Sequence, residues 1–215
     1  MKYIYLYIAL LLTSTLANSQ VGLSGLTSDL LIGKWKGDNG INKAGGNVFN
    51  SRFNARYSIF ESSGFGFDGV VSYEYSRLYD IDINGFGISE LFKEHIFFAG
   101  GDLYANISDT FYPYLGFMLG AALQDFMGES ETGYTYEIKP GLHIKITEQF
   151  FLDASYDYNY REGGGYHSFA FEAGYIISDR FLIGGKYMYT GASDEENENY
   201  RETFNLFGAK LGFLF

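Results

Sequence analysis

The sequence predicts an all-β fold, an antiparallel up-and-down transmembrane β-barrel of ten strands. Two observations carry this: a composition rich in aromatic residues and Gly but poor in Pro, and a two-residue alternation in which one face is free of charge. Among 215 residues there are 21 Phe, 20 Tyr, 28 Gly, two Pro and no Cys. Such a chain is too apolar for disorder and suits long strands with an aromatic surface. The absence of Cys excludes disulfides, thiolate metal sites and a Cys nucleophile. A net charge of −11 argues against nucleic acid as a partner, which would need clustered Lys and Arg.

Residues 1–19 read as a signal peptide: Lys2 gives a basic start, Tyr3 to Leu12 an apolar run, and Ala17-Asn18-Ser19 a small-residue cleavage site before Gln20. The apolar run is about half the roughly 20 residues of a membrane-spanning helix. Residues 20–215 then form one barrel domain directed to the outer membrane. Loss of Lys2 from the 15 basic groups leaves 14 against 26 acidic ones, a net of −12.

The first strand is expected over 29–36, with Leu31 and Trp35 outward and Lys34 and Lys36 inward. The second, 47–60, sets Phe49, Phe53, Ala55, Tyr57 and Ile59 against Asn50, Arg52, Asn54 and Arg56. The third, 65–79, sets Phe65, Phe67, Val71, Tyr73 and Tyr75 against Asp68, Ser72 and Glu74. Seven more follow over 95–107, 112–126, 134–146, 150–160, 166–177, 181–191 and 201–215. A single-chain bacterial barrel needs an even number of strands, and 29–36 supplies the tenth. Eight strands with a rearranged N-terminal segment is the alternative. Pro140 interrupts its strand, since it cannot donate to the ladder, so a bulge is expected at Pro140-Gly141.

The apolar face runs through Leu115, Phe117, Leu119, Ala121 and Leu123, then Tyr136, Ile138, Leu142 and Ile144, and continues in each later strand. Its partner face mixes charges with Gly and Ser. A small barrel is crowded on its concave side, so the face with small residues points inward and the bulky apolar face outward into lipid. Turns at 108–111, 147–149 and 178–180 are short and loops at 127–133, 161–165 and 192–200 longer, which puts the loops outside the cell. Tyr156, Tyr158, Tyr160, Tyr187 and Tyr189 then form an outer aromatic girdle, and Phe150, Phe181, Phe213 and Phe215 an inner one.

Inward positions give a lumen charge network of eight basic residues, Lys34, Lys36, Arg52, Arg56, Lys139, Lys145, Lys186 and Lys210. Against them stand seven acidic ones, Asp68, Glu74, Asp102, Glu137, Asp153, Asp157 and Glu172. Opposite charges in a confined interior should pair, leaving a filled lumen that conducts poorly.

With these strands and a last segment ending Phe207-Gly208-Ala209-Lys210-Leu211-Gly212-Phe213-Leu214-Phe215, the chain resembles the small bacterial outer-membrane β-barrels of porin-like, OmpA/OmpX/OmpW type. Gln20 after the cleavage site resembles secreted proteins of Bacteroidetes. The resemblance implies that Phe207, Leu211, Phe213 and Phe215 form the recognition signal for the barrel-assembly machinery. It implies as partners outer-membrane lipid and lipopolysaccharide. A structural or porin-like role follows, one form of which is an accessory subunit of an envelope protein complex.

Two alternatives have their own signals. An outer-membrane enzyme acting on lipid or peptide needs a titratable group with its partner at one rim. The His-x-Ser of lipid A deacylases and the Asp-His pair of omptin-type proteases are missing, because His167 is followed at once by Ser168, His95 and His143 lack a Ser two residues on, and no Asp-His dipeptide occurs. A third motif, the His, Ser and Asn of outer-membrane phospholipases, would need a His near the outer leaflet, whereas His143 faces the lumen at the inner end. No catalytic residue is therefore assigned. Gly33-Lys34-Trp35 resembles the Gly-x-Trp of lipocalins, whose members bind apolar ligands, but the match is three residues long.

Two loop features bear on ions, and no other cofactor is expected. Asp80-x-Asp82-x-Asn84-Gly85 matches the first half of a calcium loop, with Leu91 where the closing Glu should stand; a polar loop tip is the plainer reading. Asp194-Glu195-Glu196-Asn197-Glu198 is an acidic run in the last loop, where calcium or other divalent ions could bridge it to lipopolysaccharide phosphates.

Overall fold

The computed structural model describes residues 24–40, 42–161, 164–194 and 201–215. The signal peptide and the acidic run 195–198 lie outside the described residues. The ten strands are β1 (Gly25–Asp38), β2 (Lys43–Glu61), β3 (Phe65–Ile83), β4 (Phe86–Ala105) and β5 (Phe111–Phe126). They continue with β6 (Glu129–Lys145), β7 (Phe150–Arg161), β8 (Gly164–Ile177), β9 (Phe181–Asp194) and β10 (Arg201–Leu214). Each is antiparallel to its sequence neighbours, and β1 closes the ring on β10 from Gly25↔Leu214 to Asp38↔Arg201. The barrel thus has ten strands rather than eight.

Closure depends on two inward glycines at the seam. A Cβ on Gly33 would lie 1.8 Å from the Asn205 carbonyl oxygen, and one on Gly208 1.8 Å from that of Leu30. Elsewhere inward glycines are covered by neighbouring rings: Tyr104 lies over Gly66, Tyr114 over Gly141 and Phe151 over Gly174. The small residues of the polar face therefore make room for aromatic side chains in a narrow interior.

The outward face is the apolar one. Leu119 is 58% exposed and Phe117, Phe171 and Leu211 are comparably open, an arrangement a barrel adopts where its surroundings are lipid. Two aromatic belts flank it. At the end of the barrel bearing the two-residue hairpins, Tyr136 stacks on Tyr160 at 5.2 Å; at the other, Phe181 meets Phe213 edge-on at 5.5 Å.

Four expectations are corrected. First, β1 has the opposite phase: Leu31 and Trp35 are buried inside, at 1% and 5% exposure, whereas Lys34 and Lys36 are exposed on the outer face. Leu30 and Ile32 are outward and equally apolar, so hydrophobicity alone could not choose between the faces; the inward Asp29, bonded to Lys186, shows which one the ladder selects. Second, much of what read as loop is strand. Residues 129–133 pair with 122–126, and 86–94 pair with β3, leaving two-residue turns at Asn84-Gly85 and Met127-Gly128. All four turn residues have positive φ, as hairpin turns matched to strand twist require.

Third, connection length consequently no longer distinguishes the two ends. The end carrying Gly25 and Leu214, here the turn end, has connections at 62–64, 106–110, 146–149 and 178–180; the hairpin end has strands that run on past the belt. Fourth, no bulge forms at Pro140. The β6–β7 register is the same at Ile138↔Tyr158 and Gly141↔Ser155, so the ladder skips the Pro without slipping. Register shifts occur instead near Gly45, Ser58 and Leu78.

Candidate functional site

The candidate site is the lumen, because the alternation of ten strands brings nearly every buried charge there. Among the described residues ten carboxylates face inward, those of Asp29, Asp68, Glu74, Glu94, Asp102, Glu137, Asp153, Asp157, Glu172 and Glu202. Seven cations oppose them, Arg52, Arg56, Lys139, Lys145, Arg161, Lys186 and Lys210. Lys34 and Lys36 drop out of the expected network, and Asp29, Glu94, Arg161 and Glu202 enter it. The interior is therefore mildly acidic rather than balanced.

Arg52, on β2, crosses the bore to β6. Its Nη1 and Nη2 donate to Glu137 Oε2 and Oε1 at 2.7 and 3.1 Å, its Nε donates to Ser72 Oγ at 2.9 Å, and its guanidinium lies 5.3 Å from the centre of the Phe98 ring. A forked guanidinium matches both carboxylate oxygens, which makes this contact directional as well as electrostatic. Arg161 bonds Glu94 across the bore and lies 3.9 Å from Glu74. Gln124 donates to the second Glu94 oxygen at 2.8 Å, and Asn50 to Glu74 at 2.9 Å.

The other side of the waist is built from lysines. Lys186 donates to Asp29 Oδ2 and Lys210 to Glu172 Oε2, each at 2.7 Å, while Lys210 also stands 3.8 Å from Asp29 and Lys139 3.9 Å from Asp157. Toward the turn end, Arg56 binds Asp102, and Asp153 accepts from Tyr114 at 2.9 Å with His143 Nδ1 3.5 Å from its other oxygen. Asp68 and Asp102 are directly opposed across β3 and β4, and Arg56 is the cation between them. Lys145 sits at the turn end, inward but outside this web.

Asp29, Arg52 and Lys186 border two cavities and separate them. The turn-end cavity, of about 130 Å³, is lined by Arg56, Asp102, Tyr114 and His143. The hairpin-end cavity is larger, about 430 Å³, with the Arg52 and Arg161 clusters as its floor. Its upper wall was not foreseen: Leu31, Trp35, Val48, Leu78 and Leu206 line it with Phe92, Met188 and Phe204, and belong to a buried apolar cluster that Ile81 completes. Gly37 lies directly against the indole, where a Cβ would come within 2.8 Å of it.

The remaining expected sites are dispersed. Asp80, Asp82 and Asn84 sit at the β3–β4 hairpin, where Asp82 Oδ1 accepts from the Gly85 amide at 2.9 Å, Asn84 Oδ1 from the Lys43 amide at 3.2 Å and Asp80 Oδ2 from Asn47 at 3.2 Å. Their oxygens serve the turn, and among the described residues no cluster of three acidic or His side chains could hold a metal ion. His95 and His167 face outward, with Nδ1 2.8 and 2.5 Å from the hydroxyls of Tyr73 and Tyr156. Phe207, Leu211, Phe213 and Phe215 line the outer face of the closing strand, next to the seam. Above the rim, the hydrogen bond from Lys93 and the nearby Arg77 hold the Glu90 carboxyl below its ordinary range.

No protein-family model matches the chain, and no curated protein sequence does. Solved outer-membrane barrels do match in fold. The β domain of the Bordetella autotransporter BrkA aligns over 90% of this chain and 100% of its own, at 10% identity and a TM-score of 0.52. The translocator domain of the autotransporter NalP from Neisseria meningitidis aligns over 100% and 95%, at 12% identity and 0.49. The outer membrane protease OmpT from Escherichia coli aligns over 94% and 100%, at 12% identity and 0.40. The BrkA likeness and the closed ring of ten antiparallel strands give the chain the fold of outer-membrane β-barrels.

Proposed function

We propose that this protein is an outer-membrane β-barrel with a structural or porin-like role and a lumen closed at its waist. One observation carries the reading: ion pairs cross the bore between opposite walls and divide it into two cavities, inside a barrel whose outer face is a predominantly apolar belt. Charges buried as complementary pairs resist rearrangement, since removing either partner strands the other away from water. Such a lumen passes small solutes slowly. With both chain termini on the periplasmic side, as in single-chain bacterial barrels of even strand count, the hairpin end faces outward.

Fractionation tests this reading. Recovery in outer membranes, with folded protein migrating differently from heated protein on gels, is the expected result. Recovery in soluble fractions without detergent would overturn it. Liposomes containing the purified barrel should swell only slowly in small sugars.

A further inference from the structure

We propose that the hairpin-end cavity binds an uncharged amphiphile, an apolar body of medium length ending in an oxygen that accepts a hydrogen bond. The proposal deepens the lumen reading and rests on the barrel being inserted with Trp35 facing inward. Its volume of about 430 Å³ falls in the usual range for small-molecule sites. The wall made by Leu31, Trp35, Leu78, Phe92 and Leu206 offers nothing polar to water except one group. That group is the Trp35 indole N–H, buried without a hydrogen-bond partner among the described residues; the Nε atoms of Arg161 and Arg77, which line the same cavity, are in the same condition.

A buried donor left unpaired costs free energy that an acceptor would return. An apolar wall bordered by these three idle donors thus defines both halves of the ligand. The head group must be uncharged for two reasons. The lining carries six carboxylates against four cations, which repels an anionic head. The carboxylates of Asp29, Glu74, Glu94, Glu137 and Asp157 each already stand within 4 Å of a resident cation, so a cationic head would have to displace one of these cations.

Trp35 is the sole Trp of the chain, so its fluorescence reports on this cavity alone. Folded protein in phospholipid vesicles would be titrated with 8-bromooctan-1-ol, whose bromine quenches on contact, and in parallel with 8-bromooctanoate. The alcohol should quench saturably, with an apparent affinity at least tenfold tighter than the carboxylate. Vesicles of brominated phosphatidylcholine should leave the emission nearly unchanged. L206F and M188F, which fill the cavity by different walls, should each weaken the alcohol by tenfold or more. Absence of saturable quenching in inserted protein, equal affinity for the carboxylate, or undiminished quenching in both variants overturns the site. Strong quenching by brominated lipid overturns the inward placement of Trp35 and the site with it, whereas failure of the chain to enter vesicles overturns the membrane reading on which the site rests.

Discussion

Arg52 illustrates what single residues do in this interior. Its guanidinium satisfies Glu137 bidentately, reaches Ser72 and covers the Phe98 ring. Truncation to Ala would leave Glu137, 2% exposed, without its main counter-charge. R52A should therefore lose about 3–5 kcal/mol of stability, the usual cost of stranding a buried charge, read from urea unfolding of the barrel in detergent or lipid. Adding E137Q should recover part of that loss; no recovery would show that Arg52 acts through packing on Phe98 rather than through charge. The seam glycines allow a second comparison. G208A should reduce the yield of folded barrel, because its Cβ meets the Leu30 carbonyl, while G185A should not, since open space surrounds that position. Equal yields would contradict the account of closure.

At the scale of strands, the alternation made most of the fold legible. Strands β5 to β10 each pair a face of large apolar residues with a face of charges and glycines, so phase and direction could be read from residues such as Leu115, Phe117 and Leu119 against Gly116 and Gly120. Strand β1 resisted because Leu30-Leu31-Ile32 is apolar on both sides and the interior is itself apolar at the hairpin end, a feature the rule of large residues outward cannot detect. Glu94 and Arg161 were missed for a related reason: they sit beyond the apolar belt, where a strand looks like a polar loop although its ladder continues. The belt itself is testable. Leu119→Arg should cost about 2–4 kcal/mol near the bilayer midplane. Gln124→Arg should cost much less, because the inward Gln124 already bonds Glu94 and an arginine there gains a charged partner. Equal costs would mean that the faces are reversed. For the closing strand, deletion of Phe215 should lower the cellular yield of folded barrel, measured by heat-modifiable migration, if the terminal aromatic row guides assembly; normal yield would remove that role.

At the scale of the whole molecule, ten strands enclose a bore narrow enough for side chains to meet across it. Arg52 reaches Glu137 and Arg161 reaches Glu94 from opposite walls, and glycines on the inner face admit the rings that fill the rest. The excess of carboxylates at the waist does not open it, because each lysine there reaches one or two of them. Barrels with open aqueous channels have about 16 strands or more. The most direct measurement is single-channel current across planar bilayers for the wild type and for a variant combining R52A with E137A, which removes one crossing bridge without leaving either partner charged and alone. The wild type should give small or intermittent currents, and the double variant larger and steadier ones. Stable wild-type conductance comparable to that of a large general porin, unchanged by the double substitution, would contradict a lumen closed by its own charges.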